Sequence, residues 1–169
     1  MILNGQLLLD AAPLRGMVRE KRREHGVSYG LTEAGYDIRI KQEVIFRPHL
    51  GGFQALVDGL AVDFKGDRIG ERFALASAIE EFQMPEHLVG VVHDKSTWAR
   101  KRLSVLNTVV EPGWKGFLTL ELVYHGHDHL VIPAGAGIAQ ILFHELHAPA
   151  AYTGKYQHQE DRPVEARHE

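Results

Sequence analysis

A serine and an arginine stand four residues apart in the segment DKSTWARKRL, which covers residues 94–103. On a turn of helix, side chains at positions i and i+4 share one face, so Ser96 and Arg100 could present a hydroxyl and a guanidinium to the same oxyanion or water. A short surface helix with Asp94 as its N-cap accounts for the pattern equally well. The spacing leaves both interpretations open.

Two glutamates flank the turn that follows. Glu111 begins the turn EPGWKG, and Glu121 lies in the middle of the apolar segment FLTLEL. Pro and Gly favour the turn, and the β-branched and apolar residues on either side of it predict strands. If Glu121 faces an apolar pocket, desolvation raises its pKa and suits it to proton transfer. The alternative is an exposed carboxylate at the edge of a sheet.

The chain contains eleven histidines, but their spacing does not support a metal site. HGHDH at 125–129 lacks the spacing of histidine-rich metallohydrolase motifs and stands where a hairpin turn is expected. HELH at 144–147 is not the H-E-x-x-H motif, whose histidines share a helix face, and its neighbours predict the end of a strand. Because no cysteine is present to supply thiolates, the sequence predicts no protein-bound zinc or other metal.

The chain has 169 residues, of which 44% are hydrophobic, as expected for one domain with a sizeable core. Its formal charge of −3 gives no electrostatic case for binding nucleic acid or a membrane surface. No apolar run approaches the roughly 20 residues that span a bilayer, and the lack of cysteine is typical of the cytoplasm, where we expect the protein to act. We assign residues 1–153 to the domain, and the polar residues 154–169 to a tail that is mobile or closes over a site.

The periodicity predicts a mainly β protein with a short helical segment at its N-terminus. Residues 4–26 are expected to form one helix, or two helices broken near Pro13, with the basic run 19–23 on a solvated face. From Tyr36 onward, short alternating segments separated by Gly, Pro, Asn and Asp favour a β-barrel or sandwich over a βαβ fold. The predicted strands are YDIRIKQEVIF, FALASAIEEFQMP, LVGVVH, SVLNTVV, FLTLELVYHG, HLVIPAG and GIAQILFHEL.

Five segments follow one another along the chain: GYDIRI, FALASAIEEFQMPEHLVGVVHDKSTWAR, VVEPGWKGFLTLEL, IPAGAGIAQILF and GKYQHQ. Taken together and in this order, they resemble the dCTP deaminase branch of the trimeric dUTPase superfamily. The resemblance implies a distorted jelly-roll β fold, a homotrimer with active sites at subunit interfaces, and hydrolysis of dCTP to dUTP and ammonia. It also implies that Mg²⁺ arrives with the triphosphate and needs no protein ligand, and that dTTP is a candidate feedback inhibitor.

By the same resemblance, Glu121 is the catalytic group that moves protons, while Ser96 and Arg100 hold the attacking water. The tail forms a lid in which Lys155 and Gln159 meet the triphosphate. The residues that the resemblance implies in substrate binding are Lys95, Thr97, Asn107, Thr108, Val109, Glu111, Gln140, Tyr152, Lys155, Tyr156 and Gln159.

The chain departs from the family pattern around this site. Lys95 replaces an arginine, which keeps a phosphate-binding charge but loses the bidentate fork. Glu111 replaces the aspartate that contacts the deoxyribose 3′-hydroxyl. The hairpin 103–111, which reads the base through backbone groups, is shorter than in typical deaminases, with Asn107 and Thr108 at its tip.

These departures keep other functions open. A dUTPase, or an enzyme that performs both reactions, would use Glu111 to activate a water against the α-phosphate. A catalytically silent, nucleotide-binding regulatory trimer is less favoured, because Ser96, Arg100 and Glu121 are all present.

Overall fold

The computed structural model describes residues 1–62 and 72–168. Over that part of the chain, no helix has the length and hydrophobicity needed to cross a membrane. The elements, in chain order, are β1 (Ile2–Leu3), α1 (Gly5–Ala11), β2 (Lys21–Glu24), β3 (Val27–Leu31), β4 (Tyr36–Arg39), β5 (Val44–His49), β6 (Gly52–Val57), β7 (Leu60–Ala61), β8 (Phe73–Gln83), β9 (Leu88–Asp94), α2 (Ser96–Ala99), β10 (Leu103–Val105), β11 (Val109–Val110), β12 (Lys115–Tyr124), β13 (Leu130–Ile132) and β14 (Gly137–Glu145).

The strands form three sheets around one hydrophobic core. A seven-stranded sheet has the order β11-β9-β14-β4-β3-β2, with β1 also paired to β14; a three-stranded sheet has the order β10-β12-β8; and a four-stranded sheet has the order β13-β5-β6-β7. The prediction of a mainly β, jelly-roll-like fold is confirmed, although the described strands do not close into a single barrel. β12 lies at the centre of its sheet, with a neighbour on each edge.

Side-chain alternation on β12 decides which residues leave the core. Leu120 and Leu122 are completely buried. Because successive side chains of a strand point to opposite faces, Thr119 and Glu121 project from the other face. The apolar pattern of FLTLEL therefore directs Glu121 away from the hydrophobic core without making β12 an edge strand.

The N-terminal segment is less helical than predicted. Helix α1 ends shortly before Pro13, as expected from the bias of proline against helix in the residue before it. Residues 21–31 form the hairpin β2–β3, whose turn residues His25 and Gly26 have φ values of 52° and 76°, as in a type I′ turn. The basic run is exposed, as predicted, but its residues 21–23 lie on a strand, because pairing with β3 outweighs the helix propensity of Lys, Arg and Glu.

The predicted strand SVLNTVV is divided between two sheets. β10 pairs with β12, whereas β11 pairs with β9, so residues 106–108 cross from one sheet to the other. YDIRIKQEVIF is likewise divided into β4 and β5, which belong to different sheets. The prediction of single strands was wrong because a period of two continues on both sides of each break, and the choice of sheet depends on distant partners.

Candidate active site

A cavity of about 810 Å³ opens beside β12, the segment 106–111 and the C-terminal tail. Its volume lies in the range typical of small-molecule sites, and its wall combines apolar area with a few polar groups. The residues that line it are Phe73, Leu75, Leu106, Asn107, Thr108, Val109, Val110, Glu111, Trp114, Leu118, Thr119, Glu121, Tyr152, Tyr156, Gln159, Val164, Glu165, Ala166 and His168.

Glu121 lies on the cavity wall, on a strand that has a neighbour on each edge. It stands opposite Leu75 of β8, and β10 pairs with the other edge of β12. The alternative of a carboxylate on an edge strand is therefore wrong. Partial burial raises the pKa of Glu121 above its ordinary value of 4.5, while the side chain stays accessible. Such a carboxylate can accept a proton from a bound molecule and return it.

The side chain of Asn107 bridges the inter-sheet segment to the strand that carries Glu121. Its Nδ2 donates to the carbonyl oxygen of Thr119 at 2.6 Å, and its Oδ1 accepts from the backbone N–H of Glu121 at 3.2 Å. The backbone N–H of Leu106 donates to the carbonyl oxygen of Glu121 at 2.9 Å. The main chain of Glu121 is thus held from the segment 106–107 through both its N–H and its carbonyl.

The Pro-Gly turn brings the tail close to β12. Gly116 has a φ of 134°, and a Cβ at this position would lie 2.5 Å from the backbone nitrogen of Gln159, so only glycine allows this approach. Trp114 packs against Phe82 with the two rings tilted by 59°, and it donates from Nε1 to the carbonyl oxygen of Tyr156 at 2.7 Å. The conformation of the turn and the position of the tail depend on each other.

The tail lies across its own chain in this structure. The N–H of Phe117 donates to the carbonyl oxygen of Gln159 at 3.1 Å, and Gln159 itself is buried. The Gln159 Nε2 donates to the Thr119 hydroxyl oxygen, which also accepts from the backbone N–H of Val164 at 3.1 Å. Thr119 therefore contacts both the segment 106–107, through its carbonyl, and the tail, through its hydroxyl.

Gln157 fastens the start of the tail to the Pro-Gly turn. Its Oε1 accepts from the N–H of Lys115 at 2.7 Å, and its Nε2 donates to the carbonyl oxygens of Gly113 and Tyr152, each at 3.0 Å. Every polar atom of the Gln157 side chain is engaged with backbone. Gln157 thus fixes the tail to the turn two residues before Gln159.

The α2 turn has the expected helical hydrogen bond, because the N–H of Arg100 donates to the carbonyl oxygen of Ser96 at 3.1 Å. Asp94 does not cap the helix; its Oδ1 accepts from the N–H of Val105 at 2.7 Å, which makes the capping interpretation wrong. Lys95 forms an ion pair with Asp37, and the exposed fractions of the two side chains are only 10% and 2%.

Comparison with known proteins identifies the family. A family model described as dCTP deaminase-like matches residues 70–146. The dCTP deaminase of Campylobacter curvus is 40% identical over 148 residues, which span 79% of this chain and 78% of that protein. The dCTP deaminase of Erythrobacter litoralis is 36% identical over 157 residues, spanning 84% and 83% of the two chains. The chain belongs to the dCTP deaminase family.

Solved structures extend this relationship at the level of the fold alone. The native dUTPase of EIAV superposes with a TM-score of 0.50 at 14% identity, over 80% of this chain and 90% of that one. The dUTPase of Staphylococcus bacteriophage 80alpha gives a TM-score of 0.50 at 17% identity, over 82% and 90%. A mutant of that phage enzyme was solved with dUpNHpp. This deaminase-family chain therefore has a dUTPase-like fold.

The cavity of this deaminase-family chain collects many of the side chains expected from the sequence, but not all of them. Those that line it are Asn107, Thr108, Val109, Glu111, Glu121, Tyr152, Tyr156 and Gln159. Those that do not are Lys95, Ser96, Thr97, Arg100, Gln140 and Lys155. Gln140 donates to the Thr32 hydroxyl at 3.2 Å, and the Lys155 ammonium lies 5.6 Å from the ring centre of Tyr156. Ser96 and Arg100, to which the resemblance assigns the attacking water, thus do not line the cavity that contains Glu121 within the described chain.

Sequence reasoning missed the apolar wall and the central contact of the tail. Phe73 and Leu75 of β8 line the cavity, and Thr119 bonds both to Asn107 and to the tail residue Val164. A signal for Thr119 was available, since it precedes Glu121 by two residues and must share its face on a strand. Phe73 and Leu75 carried no such signal, because an apolar residue beside a cavity resembles one in a core.

The histidine clusters lie where connections and strand ends were expected. HGHDH joins β12 to β13, and HELH overlaps the end of β14. Among residues 1–62 and 72–168, no three His, Asp or Glu side chains are grouped closely enough to hold a metal ion.

Proposed function

We propose that this protein carries out the hydrolytic deamination of dCTP to dUTP and ammonia, with Glu121 as the group that moves protons. The observation that carries this assignment is a carboxylate on the cavity wall, with its main chain held on both sides and its pKa raised by burial. Family membership supplies the substrate class. The zinc deaminases need cysteine ligands, and this chain has no cysteine.

The chemistry asks for one residue that gives and takes a proton in turn. Glu121 accepts a proton from water as the oxygen adds to C4 of cytosine, and the ring nitrogen N3 takes that proton up. The proton of the new C4 hydroxyl then passes through Glu121 to the amine. The C4–N bond breaks, ammonia leaves, and C4 becomes the carbonyl of uracil. General acid–base groups of this kind contribute about 10²–10⁴-fold to the rate.

Other side chains of the cavity and its lid bind the nucleotide. Glu111 accepts from the deoxyribose 3′-hydroxyl, and residues 154–169 act as the lid, in which Lys155 and Gln159 face the triphosphate. Gln159 must exchange its bond with Thr119 for one to the nucleotide, which couples lid movement to binding. Mg²⁺ enters as part of the nucleotide, bound to its phosphates and to water.

We also propose that the active protein is a homotrimer in which a neighbouring copy supplies Ser96 and Arg100. The support is that neither residue lines the cavity containing Glu121, although both have the residue types and the family positions needed to hold the water. Mixing two inactive variants, Glu121→Gln and Arg100→Ala, and allowing subunits to exchange tests this. Some interfaces then combine an intact Glu121 with an intact Arg100, and dCTP turnover should return. No recovery would mean that both residues act within one chain.

The reaction itself is tested by incubating the protein with dCTP and, separately, with dUTP. Ammonia without dUMP or pyrophosphate is expected from dCTP, and no product from dUTP. Glu111 on the cavity wall favours a second candidate, a bifunctional enzyme that also cleaves dUTP. Release of dUMP and pyrophosphate would identify that activity. Feedback by dTTP, a cytoplasmic location and the lack of nucleic-acid binding stay predictions.

A further inference from the structure

Both polar atoms of the Asn107 side chain are bonded to the backbone of β12 in the described structure. Its amide nitrogen and oxygen bond to Thr119 and Glu121, respectively, and neither contact involves another side chain. We propose that Asn107 is a positioning residue that holds the backbone of Glu121 and Thr119, and that its side chain does not contact the nucleotide. This inference rests on the role proposed above for Glu121.

The place of Asn107 in the sheet explains why such a bridge is needed. The pairing of β10 with β12 ends at Val105 and Leu122. On that edge, Glu121 and the residues of β12 that precede it therefore have no partner strand. The chain then crosses to the other sheet, where the carbonyl oxygen of Thr108 accepts from the N–H of Val92 at 3.1 Å.

The amide of Asn107 takes the place of the missing strand, since it offers a donor and an acceptor to one edge of β12 as a neighbouring backbone would. Backbone groups left without partners in a closed site are costly, so the bridge stabilises this edge.

On the opposite edge of β12, Glu121 stands opposite Leu75 of β8 in a regular register that begins only at Thr119. The register with β8 shifts between Phe117 and Thr119, so the pairing there is irregular just before the cavity. Without Asn107, the segment between this irregularity and Leu122 would be held through one regular edge and the single bond from Leu106. Small displacements of a reacting group cost rate, which makes the segment a sensitive point.

The same bridge reaches the tail through Thr119. The Thr119 carbonyl accepts from Asn107, while its hydroxyl oxygen accepts from Gln159 and Val164. A shift of the Thr119 backbone therefore moves the attachment point of the tail. Asn107 thus sets the position of the catalytic group and, indirectly, the closure of the lid over it.

The test compares Asn107→Ala and Asn107→Asp with the wild-type protein and with Asn4→Ala. Asn4 is a matched control, because its Nδ2 also donates to a backbone carbonyl, that of Glu33, at 2.8 Å, and neither residue lines the cavity. We expect Asn107→Ala to lower kcat for dCTP by about 10–100-fold, with KM within about threefold of wild type. Asn4→Ala should keep wild-type kcat and KM.

The pH dependence of kcat separates positioning from a general loss of structure. Asn107→Ala opens the site to water, which lowers the pKa of Glu121 and moves the acid limb of the profile to lower pH. Asn107→Asp keeps an acceptor for the Glu121 N–H but adds a negative charge beside it, which raises that pKa and moves the limb to higher pH. Shifts in these opposite directions support the proposal; no shift in either variant would overturn it.

Two further outcomes count against the proposal. A KM raised more than about tenfold at unchanged kcat would make the Asn107 side chain a nucleotide ligand, and kinetics like those of Asn4→Ala would leave it without a role. If Asn107→Ala does not fold, the Asn107→Asp profile decides alone.

Amide hydrogen exchange at Glu121, followed by NMR, requires no turnover. Protection should be retained in wild type and in Asn107→Asp, and lost in Asn107→Ala; equal protection in all of them would contradict the bridge. Failure of the proposed function would be recognised separately, because the wild-type protein would then not deaminate dCTP, or the Glu121→Gln variant would still do so.

Discussion

The cavity beside β12 and the α2 turn differ in charge and in the way their charges are used. Among the described residues that line the cavity there is no lysine or arginine, and its acidic members are Glu111, Glu121 and Glu165. The turn carries a run of cations: Lys95, Arg100, Lys101 and Arg102. An acidic wall repels a triphosphate, whereas a cationic turn attracts one. Neither region alone has the chemistry of a complete nucleotide site.

One cation of the α2 turn, Lys95, has a structural role and does not add to the exposed positive charge of the turn. Lys95 is directed inward to Asp37 and donates to the Ser28 hydroxyl at 3.0 Å, so its charge is neutralised inside the chain. Arg100 lies one turn along and is exposed. In this arrangement Lys95 has a structural partner, while its role as a phosphate ligand stays a prediction.

The largest expected effect is on dCTP turnover and comes from the acidic cavity, at Glu121. Glu121→Gln should lower dCTP turnover by about 10²–10⁴-fold while dCTP binding stays close to wild type, because the amide keeps the shape but cannot accept a proton. Ammonia release and equilibrium binding measure the two quantities. Glu145→Gln, an exposed carboxylate at the end of β14, is the control and should be fully active. Near-normal ammonia release by Glu121→Gln would remove the assignment.

The next effect concerns Lys95. Lys95→Ala leaves a buried Asp37 without its cation and should lower the free energy of unfolding by about 3–5 kcal/mol. Lys21→Ala removes an exposed ion pair with Glu33 and should cost about 0–1 kcal/mol. Urea denaturation compares the two variants. Unchanged stability with a raised KM would instead make Lys95 a phosphate ligand.

A smaller effect is expected at the junction between the cavity and the tail. Thr119→Val keeps the shape of the side chain but removes the acceptor for Gln159 and Val164, a loss of about 0.5–1.5 kcal/mol for each hydrogen bond. Trypsin should then cleave after Arg167 faster than in wild type, whereas Thr153→Val should match wild type. Equal rates in both variants would show that Thr119 does not hold the tail.

Nucleotide should protect the same segment. A triphosphate gives Lys155 a charge-assisted contact that a monophosphate cannot provide. Cleavage after Lys155 should therefore slow markedly with dCTP and little with dCMP. Equal protection by both nucleotides, or by neither, would mean that the lid does not sense the γ-phosphate.

The smallest effect is a pH-dependent gain in stability. The pKa of Glu121 is raised in the folded state, so between its ordinary value of 4.5 and the raised value the folded chain binds more protons than the unfolded chain. Stability contributed by this group is present below 4.5 and is lost as pH rises through that window. Glu121→Gln should therefore unfold at a slightly higher Tm than wild type at pH 7, with no difference at pH 4. A higher Tm for wild type at pH 7 would contradict the desolvation of Glu121.

Local pattern determined the strands and the face on which Glu121 lies. Alternation in FLTLEL placed Leu120 and Leu122 in the core and Glu121 on the opposite face, because successive side chains of a strand point in opposite directions. Glycine and proline marked the turn after Glu111 correctly, since both act through their own backbone dihedral angles. Motif order was sufficient to predict the family and a large part of the cavity wall.

Tertiary structure alone decided which strands pair and what each polar side chain contacts. The break at 106–108, the hairpin at 21–31 and the inward direction of Lys95 all depend on partners that are distant in the sequence. Asn107 illustrates the reason: the sequence places it at the tip of an expected hairpin, where a carboxamide can bind a ligand or replace a missing strand equally well by type. The end of the β10–β12 ladder beside it, a property of the assembled sheet, directs it to the backbone of Glu121.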